Sequence, residues 1–136
     1  MVDNAYVRKW FDKADADYRS SERLFGFYPA DIDVICYHCQ QSVEKWLKGY
    51  LVYRGVPEPP YIHDLIRLRV LCLQFDKQFE AIESECEFLT QFAIIPKYPM
   101  EYGITELQAQ KAFDYTTAIK NFAPLADLRE EIYNQI

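Results

Sequence analysis

The sequence predicts an all-α fold, an up-and-down antiparallel bundle of four or five helices. Apolar residues recur at helical spacing through most of the 136 residues, and no strand-like alternation or internal repeat stands out. Glycine is scarce at four residues, and three of the seven prolines fall in one short run, Pro57-Glu58-Pro59-Pro60. Long helices joined by short loops fit this distribution, and the half-hydrophobic composition can supply a core for one domain over residues 1–136.

Two long helices are predicted in the first half of the chain. The first begins at Asp3 or Asn4, either of which can cap a helix, and ends near Gly26. Asp31 is placed to cap the second helix, which runs to about Arg54 before a glycine and the proline-rich loop stop it.

The third helix is predicted to start at His63-Asp64, directly after the stiff loop. Residues 68–73 are apolar nearly all round, so we expect this helix to be deeply packed. A break is expected near Asp76-Lys77, and a further helical segment follows as far as Phe92. The pattern leaves open whether that segment continues the third helix or turns away from it.

A second proline-rich connector, Ile95-Pro96-Lys97-Tyr98-Pro99, precedes the last long helix. Thr105 is expected to cap that helix. Pro124 should kink the helix or end it, which leaves residues 125–132 for a short C-terminal helix.

The charge balance limits the possible partners. The formal net charge is −6 and the pI is near 4.9, which argues against broad electrostatic binding of nucleic acid. A small local basic site stays possible. Residues 1–4 lack the features of a signal peptide, and no apolar run reaches the ~20 residues of a membrane span. We therefore expect a cytoplasmic protein without a membrane partner.

Four cysteines could pair or bind metal, and Cys36-Tyr37-His38-Cys39 has a C-x-x-C spacing. Redox motifs of this kind usually lie at a helix N-terminus, whereas this one lies within the apolar stripe of a predicted helix. A structural zinc site needs four ligands, and His38 points away from that stripe. We interpret the cysteines as reduced core residues, and we predict neither a metal nor a cofactor.

The second helix carries a polar face opposite its apolar stripe. His38, Gln41, Lys45 and Lys48 follow one another at spacings of three, four and three residues. Two ammonium groups, one amide and one imidazole could meet a phosphate or a carboxylate. The alternative interpretation is a solvated helix face with a local Glu44–Lys48 pair.

Four sequence elements resemble those of the HEPN domain family, the small helical nucleotide-binding domains of prokaryotes and higher eukaryotes. The resemblance runs through nearly the whole chain in the family's order. The four elements are Ala14-Asp15-Ala16-Asp17-Tyr18 for A-x-x-D-L, Cys39-Gln40-Gln41-Ser42-Val43-Glu44-Lys45-Trp46-Leu47-Lys48 for A-Q-Q-A-V-E-K-A-L-K, His63-Asp64-Leu65 for H-D-L, and Pro96-Lys97-Tyr98-Pro99 for A-R-Y-P.

The resemblance implies a helical bundle, a homodimer, and a nucleotide or a minimal nucleotidyltransferase protein as partner in a toxin–antitoxin-like pair. Ribonucleolytic members carry an R-x(4–6)-H motif that this chain lacks, because neither His38 nor His63 follows an arginine at that spacing. The usual arginine of R-Y-P is Lys97, which keeps the charge but loses the bidentate fork.

The predicted ligand-binding residues are Gln41, Lys45, Lys48, His63, Lys97 and Tyr98. Other interpretations stay open. Asp64 could simply cap the third helix, with His63 packed beside it. Tyr98 could do no more than cover one end of the bundle. No catalytic residue is predicted.

The leading hypothesis is a HEPN-type protein that binds a nucleotide or a protein partner. One alternative is a toxin-like, metal-independent ribonuclease that uses His38, His63 and the lysines, with RNA as a weakly supported ligand. The other alternative is a purely structural helical adaptor.

Overall fold

A computed structural model describes residues 4–27, 31–59, 61–94 and 103–134. Its described residues form α-helices and short 3₁₀ segments without a strand, which confirms the all-α prediction. The helices are α1 (Asn4–Phe25), α2 (Ile32–Tyr53), α3 (Leu65–Leu73), α4 (Glu83–Leu89), α5 (Glu106–Lys120) and α6 (Ala123–Tyr133). The 3₁₀ segments are Lys77–Ile82 and Thr90–Phe92. The segment after the break at Asp76 is therefore a 3₁₀ turn leading into α4, separate from α3.

Several helix ends follow the local signals in the sequence. The Asp64 side chain accepts hydrogen bonds from the backbone N–H groups of Ile66 and Arg67, so it caps α3 as the capping interpretation expected. Thr105 forms a capping box with Gln108 at the start of α5. Gly55 adopts a φ of 95° after α2, a left-handed conformation that favours glycine.

The two long helices α1 and α2 pack antiparallel and form the centre of the bundle. Asp17 of α1 lies beside His38 near the start of α2, whereas Trp10 and Phe11 lie beside Gly49 near its end. A Cβ atom at Gly49 would come within 2.8 Å of the Phe11 ring, so the close approach of the two helices requires a glycine there.

The C-terminal helix α6 is held against α1. Pro124 occupies the first turn of α6, where a proline is tolerated, and it marks the break after α5. Arg129 of α6 donates to the Asp15 carboxylate at 2.8 Å, and the Trp46 indole donates to the same carboxylate at 2.8 Å. Asp15 thus connects α1, α2 and α6.

The core is continuous and includes all four cysteines. Cys36, Cys39, Cys72 and Cys86 are buried and free, which confirms their interpretation as reduced core residues. Among the helices that the structure describes, none is both long and apolar enough to cross a bilayer.

The expectation that α3 is deeply packed was wrong for one of its faces. Leu65, Leu68 and Cys72 are fully buried, but the opposite side of the helix reaches solvent. Apolar residues occur around nearly the whole circumference of α3, and the bundle packs against only part of it. The exposed apolar residues on the outer side are Ile66, Val70 and Leu71, and exposed Phe75 follows just after the helix ends.

Candidate functional site

The polar side of α2 carries two hydrogen-bonded networks that lie on either side of Gln41. One joins α2 to α1, and the other joins α2 to the segment that precedes α3. Together they contain both histidines of the chain. Four of the six predicted site residues lie on or beside these networks, and Lys97 and Tyr98 lie outside the described residues.

The first network is centred on Asp17 of α1. Its carboxylate bonds His38 Nδ1 at 2.9 Å through one oxygen and accepts from Lys45 Nζ through the other. The Asp17 side chain is 14% exposed and that of Lys45 is 24% exposed. Lys45 is therefore paired with a partly buried carboxylate on the neighbouring helix and is not a free surface cation.

The second network is centred on Glu44 of α2, whose side chain is only 5% exposed. One carboxylate oxygen bonds His63 Nδ1 at 2.9 Å and accepts from Gln40 Nε2 at 3.2 Å. The other oxygen accepts from Lys48 Nζ at 3.3 Å. Gln40 Nε2 also donates to the backbone carbonyl of His63 at 3.0 Å, so the position of the His63 segment is fixed from two directions.

Lys48 is buried beneath this surface. Its side chain is 6% exposed, and its ammonium lies 5.9 Å from the ring centres of both Trp10 and Tyr61. The ammonium is thus paired with Glu44 and flanked by two aromatic rings. The polar side of α2 is consequently not a uniformly solvated face, because one of its two lysines lies inside the fold.

His63 and Tyr61 form the exposed part of the site. The His63 side chain is 55% exposed, Tyr61 is 92% exposed, and their rings lie edge to face with centres 5.7 Å apart. A carboxylate can only accept, so Nδ1 of His63 carries the hydrogen that it shares with Glu44. In the neutral ring Nε2 then carries no hydrogen and can accept a hydrogen bond. The His63 side chain that carries Nε2 is exposed.

Gln41 lies between the two networks and is partly exposed. Its amide nitrogen donates to Gln40 Oε1 at 2.7 Å, which leaves the carbonyl oxygen of Gln41 as an acceptor. The charges around it cancel, because Lys45 faces Asp17 and Lys48 faces Glu44. The site therefore offers acceptor atoms, the second amide N–H of Gln41, the hydroxyl of Tyr61 and an aromatic ring, with no unpaired cation among its described residues.

Sequence reasoning did not find two of the residues in this arrangement. Nothing in the sequence marks Tyr61 as a site residue, apart from its position two residues before His63 in the proline-rich loop. Asp17 belonged to the A-x-x-D element, but its ion pair with Lys45 needs α1 and α2 to pack in one particular register. Gln40 and Glu44 are both buried, and both bond the His63 segment.

This arrangement defines a class: a small helical-bundle domain whose second helix binds its neighbours through polar pairs as well as apolar contacts. The chain belongs to the HEPN domain family, whose model matches residues 7–128.

The fold is similar to that of a solved structure, TT1696 from Thermus thermophilus. The two chains are 24% identical, with a TM-score of 0.73 over 90% of this chain and 97% of the other. This likeness concerns the fold alone. No curated protein matches the chain.

Proposed function

We propose that this HEPN-family chain is a binding protein that takes the nucleoside part of a nucleotide at the surface formed by Gln41, Tyr61 and His63. The single observation that carries the proposal is the pair of exposed rings of Tyr61 and His63 above the buried Glu44–Lys48 pair. The ring of Tyr61 is available for stacking on a base, and the network beneath keeps the His63 imidazole in one orientation.

The polar atoms favour a ligand that donates hydrogen bonds. The Nε2 of neutral His63 and the carbonyl oxygen of Gln41 both accept, as the ribose hydroxyls and the exocyclic amine of adenine require. A phosphate group would gain most from free cations, and Lys45 and Lys48 are each committed to a carboxylate. Phosphate contacts therefore contribute little to this proposal, although the spacing of the two lysines left a phosphate or a carboxylate as possible ligands.

The test is to measure the binding of adenosine, AMP and ATP by calorimetry to the unmodified protein and to a Tyr61→Ala variant. Stacking on an aromatic side chain contributes about 1–3 kcal/mol per base, so the substitution should weaken binding by about 5- to 150-fold. Phe27→Ala is the matched control, because Phe27 is also an exposed aromatic residue (69%) but lies at the end of α1. All three ligands should bind with similar affinity, and a strict requirement for the triphosphate would refute the acceptor-based argument.

The Glu44–His63 pair favours a second candidate function, a metal-independent ribonuclease with a non-standard site. A buried carboxylate that holds Nδ1 leaves Nε2 free to take a proton from a ribose hydroxyl. Cleavage of RNA in the presence of a metal chelator, lost in His63→Ala and kept in His38→Ala, would support this candidate over simple binding.

The remaining proposal is that the chain binds a protein partner. It rests on the resemblance to family members that are paired with a nucleotidyltransferase protein in toxin–antitoxin-like systems. The same exposed Tyr61 and His63 would then contact the partner. Absence of any nucleoside binding, together with intact folding, would direct attention to this proposal or to a purely structural adaptor.

A further inference from the structure

A groove between α4 and α5 shares no lining residue with the polar side of α2. Its volume is about 560 Å³, within the roughly 300–1,000 Å³ that is typical of small-ligand sites, and its walls are mostly apolar. The residues that give the groove its chemistry are Phe88, Leu107, Gln108, Lys111, Asp114 and Tyr115. None of them belongs to the proposed nucleoside site, so the groove is a separate surface of the bundle.

Lys111 places a positive charge at the apolar wall of this groove. Its ammonium lies 4.6 Å from the ring centre of Phe88 and 5.4 Å from that of Tyr115, and the two rings meet edge to face. Asp114 lies three residues further along α5, at the spacing of a helical ion pair, yet its carboxylate accepts from Gln110 Nε2 at 2.9 Å. Lys111 is thus paired with no carboxylate among the described residues.

Gln108 adds a second donor beside Lys111, because residues three apart share one face of a helix. In the capping box the backbone N–H of Thr105 donates to Gln108 Oε1 at 2.9 Å, which fixes the orientation of the amide. Gln108 Nε2 bonds no other group among the described residues, so it can donate to a ligand in the groove. Gln108 also lies in the first turn of α5, where the helix dipole favours an anion.

We propose that the groove binds a small amphiphilic carboxylate, a molecule with one carboxylate and an aliphatic body. The carboxylate accepts from Lys111 Nζ and Gln108 Nε2, and the aliphatic body lies against Phe88, Tyr115 and Leu107, which is 82% exposed. One cation and one neutral amide match a single negative charge, which favours a carboxylate over a phosphate dianion. The chain carries a net charge of −6, so these local donors hold the anion against the overall field.

Asp114 determines which way the ligand lies. Along α5, Asp114 is about 4.5 Å beyond Lys111 toward the C-terminus, and Gln108 is the same distance from Lys111 toward the N-terminus. Like charges repel, so the carboxylate of the ligand binds on the Gln108 side of Lys111. The aliphatic body then extends along the apolar wall formed by α4.

The first experiment measures the binding of octanoate by calorimetry and by the backbone amide shifts in NMR spectra. Octanoate should bind and shift the amides of Gln108 and Lys111. The uncharged 1-octanol should bind about tenfold more weakly, because it loses the charge-assisted hydrogen bonds. Lys111→Met keeps an apolar stem without the charge and should weaken octanoate binding by about the same factor, whereas Lys111→Arg should retain it. Lys13→Met is the matched control, because Lys13 is an exposed lysine on α1 outside the groove.

The second experiment tests the charge balance of the groove. Asp114→Asn removes the like charge and should tighten octanoate binding by up to about fivefold, with native helix content by circular dichroism. Tyr61→Ala, which alters the proposed nucleoside site, should bind octanoate as the unmodified protein does. No binding of octanoate at millimolar concentration, equal binding of 1-octanol, or unchanged affinity in Lys111→Met would overturn the proposal. Each of these results is independent of whether the nucleoside site exists, since no nucleoside is present.

Discussion

The buried Glu44–Lys48 pair allows a quantitative prediction about stability. Glu44→Gln removes the negative charge but keeps the size of the side chain, so it leaves the ammonium of Lys48, 6% exposed, without a charged partner. Breaking a buried ion pair in this way typically costs about 3–5 kcal/mol. The loss is a large part of the ~5–15 kcal/mol by which a domain is stable, and it corresponds to a fall in Tm of about 10–20 °C.

The reverse substitution should cost less. In Lys48→Met the Glu44 carboxylate keeps its hydrogen bonds from Gln40 Nε2 and His63 Nδ1. The double variant Glu44→Gln/Lys48→Met has no buried charge at this place, and replacing a buried pair by neutral groups is often close to neutral. The double variant should therefore be more stable than Glu44→Gln alone.

The assay is urea unfolding followed by circular dichroism for the unmodified protein, the two single variants and the double variant. Glu87→Gln is the control, because Glu87 is exposed on α4 and should change the free energy of unfolding by less than about 0.5 kcal/mol. If Glu44→Gln cost no more than this control, or if the double variant were the least stable of the set, the reasoning about the buried pair would be refuted.

Two further predictions concern the core. Gly49→Ala should lower the free energy of unfolding, because overpacking against the fully buried Phe11 ring costs about 1–3 kcal/mol, more than the ~1 kcal/mol that alanine gains in helix propensity. Urea unfolding checks this, with Gly103→Ala as a control that meets no atom within 4 Å; equal stability of Gly49→Ala would contradict the close approach. Burial raises the pKa of Cys39 from 9.0 to about 11 and that of Cys36 to about 12, so a thiol reagent at pH 8 should label neither thiol until the protein unfolds. Rapid labelling of the native protein would contradict the burial of these thiols. Both pKa values are higher in the folded state than in the unfolded chain, so the thiols contribute stability that is present below about pH 9 and lost as the pH rises toward 11.

The sequence determined the helices and most of their ends, because these depend on local chemistry. Asp64 and Thr105 cap the helices that they were expected to cap, since a capping side chain bonds backbone groups two or three residues away. The apolar stripe of α2 was equally clear, because all of its members except Ile32 are buried. They are Ile32, Ile35, Cys36, Cys39, Val43, Trp46, Leu47 and Tyr50. Periodicity alone identifies such a stripe when the helix is packed on one side.

For α3 the sequence could not tell which apolar residues would be covered. Val70 and Leu71 are as apolar as Leu68, yet only Leu68 is fully buried. The difference arises from which side of α3 the neighbouring elements pack against, and that is a property of the whole bundle. The exposed face of α3 could therefore be found only in the structure.

The state of the two lysines on α2 was also decided by tertiary structure. Spacing placed Lys45 and Lys48 on one face and Glu44 within reach of Lys48, and that much is a property of any α-helix. The other groups around them are distant in sequence: Asp17 is 28 residues away from Lys45, and the rings of Trp10 and Tyr61 that flank Lys48 belong to α1 and to the loop before α3. The sequence by itself therefore determined on which face of α2 each lysine lies. Only the packing of α1 and the loop onto α2 decided that Lys45 meets a carboxylate of another helix and that Lys48 lies buried instead of in solvent.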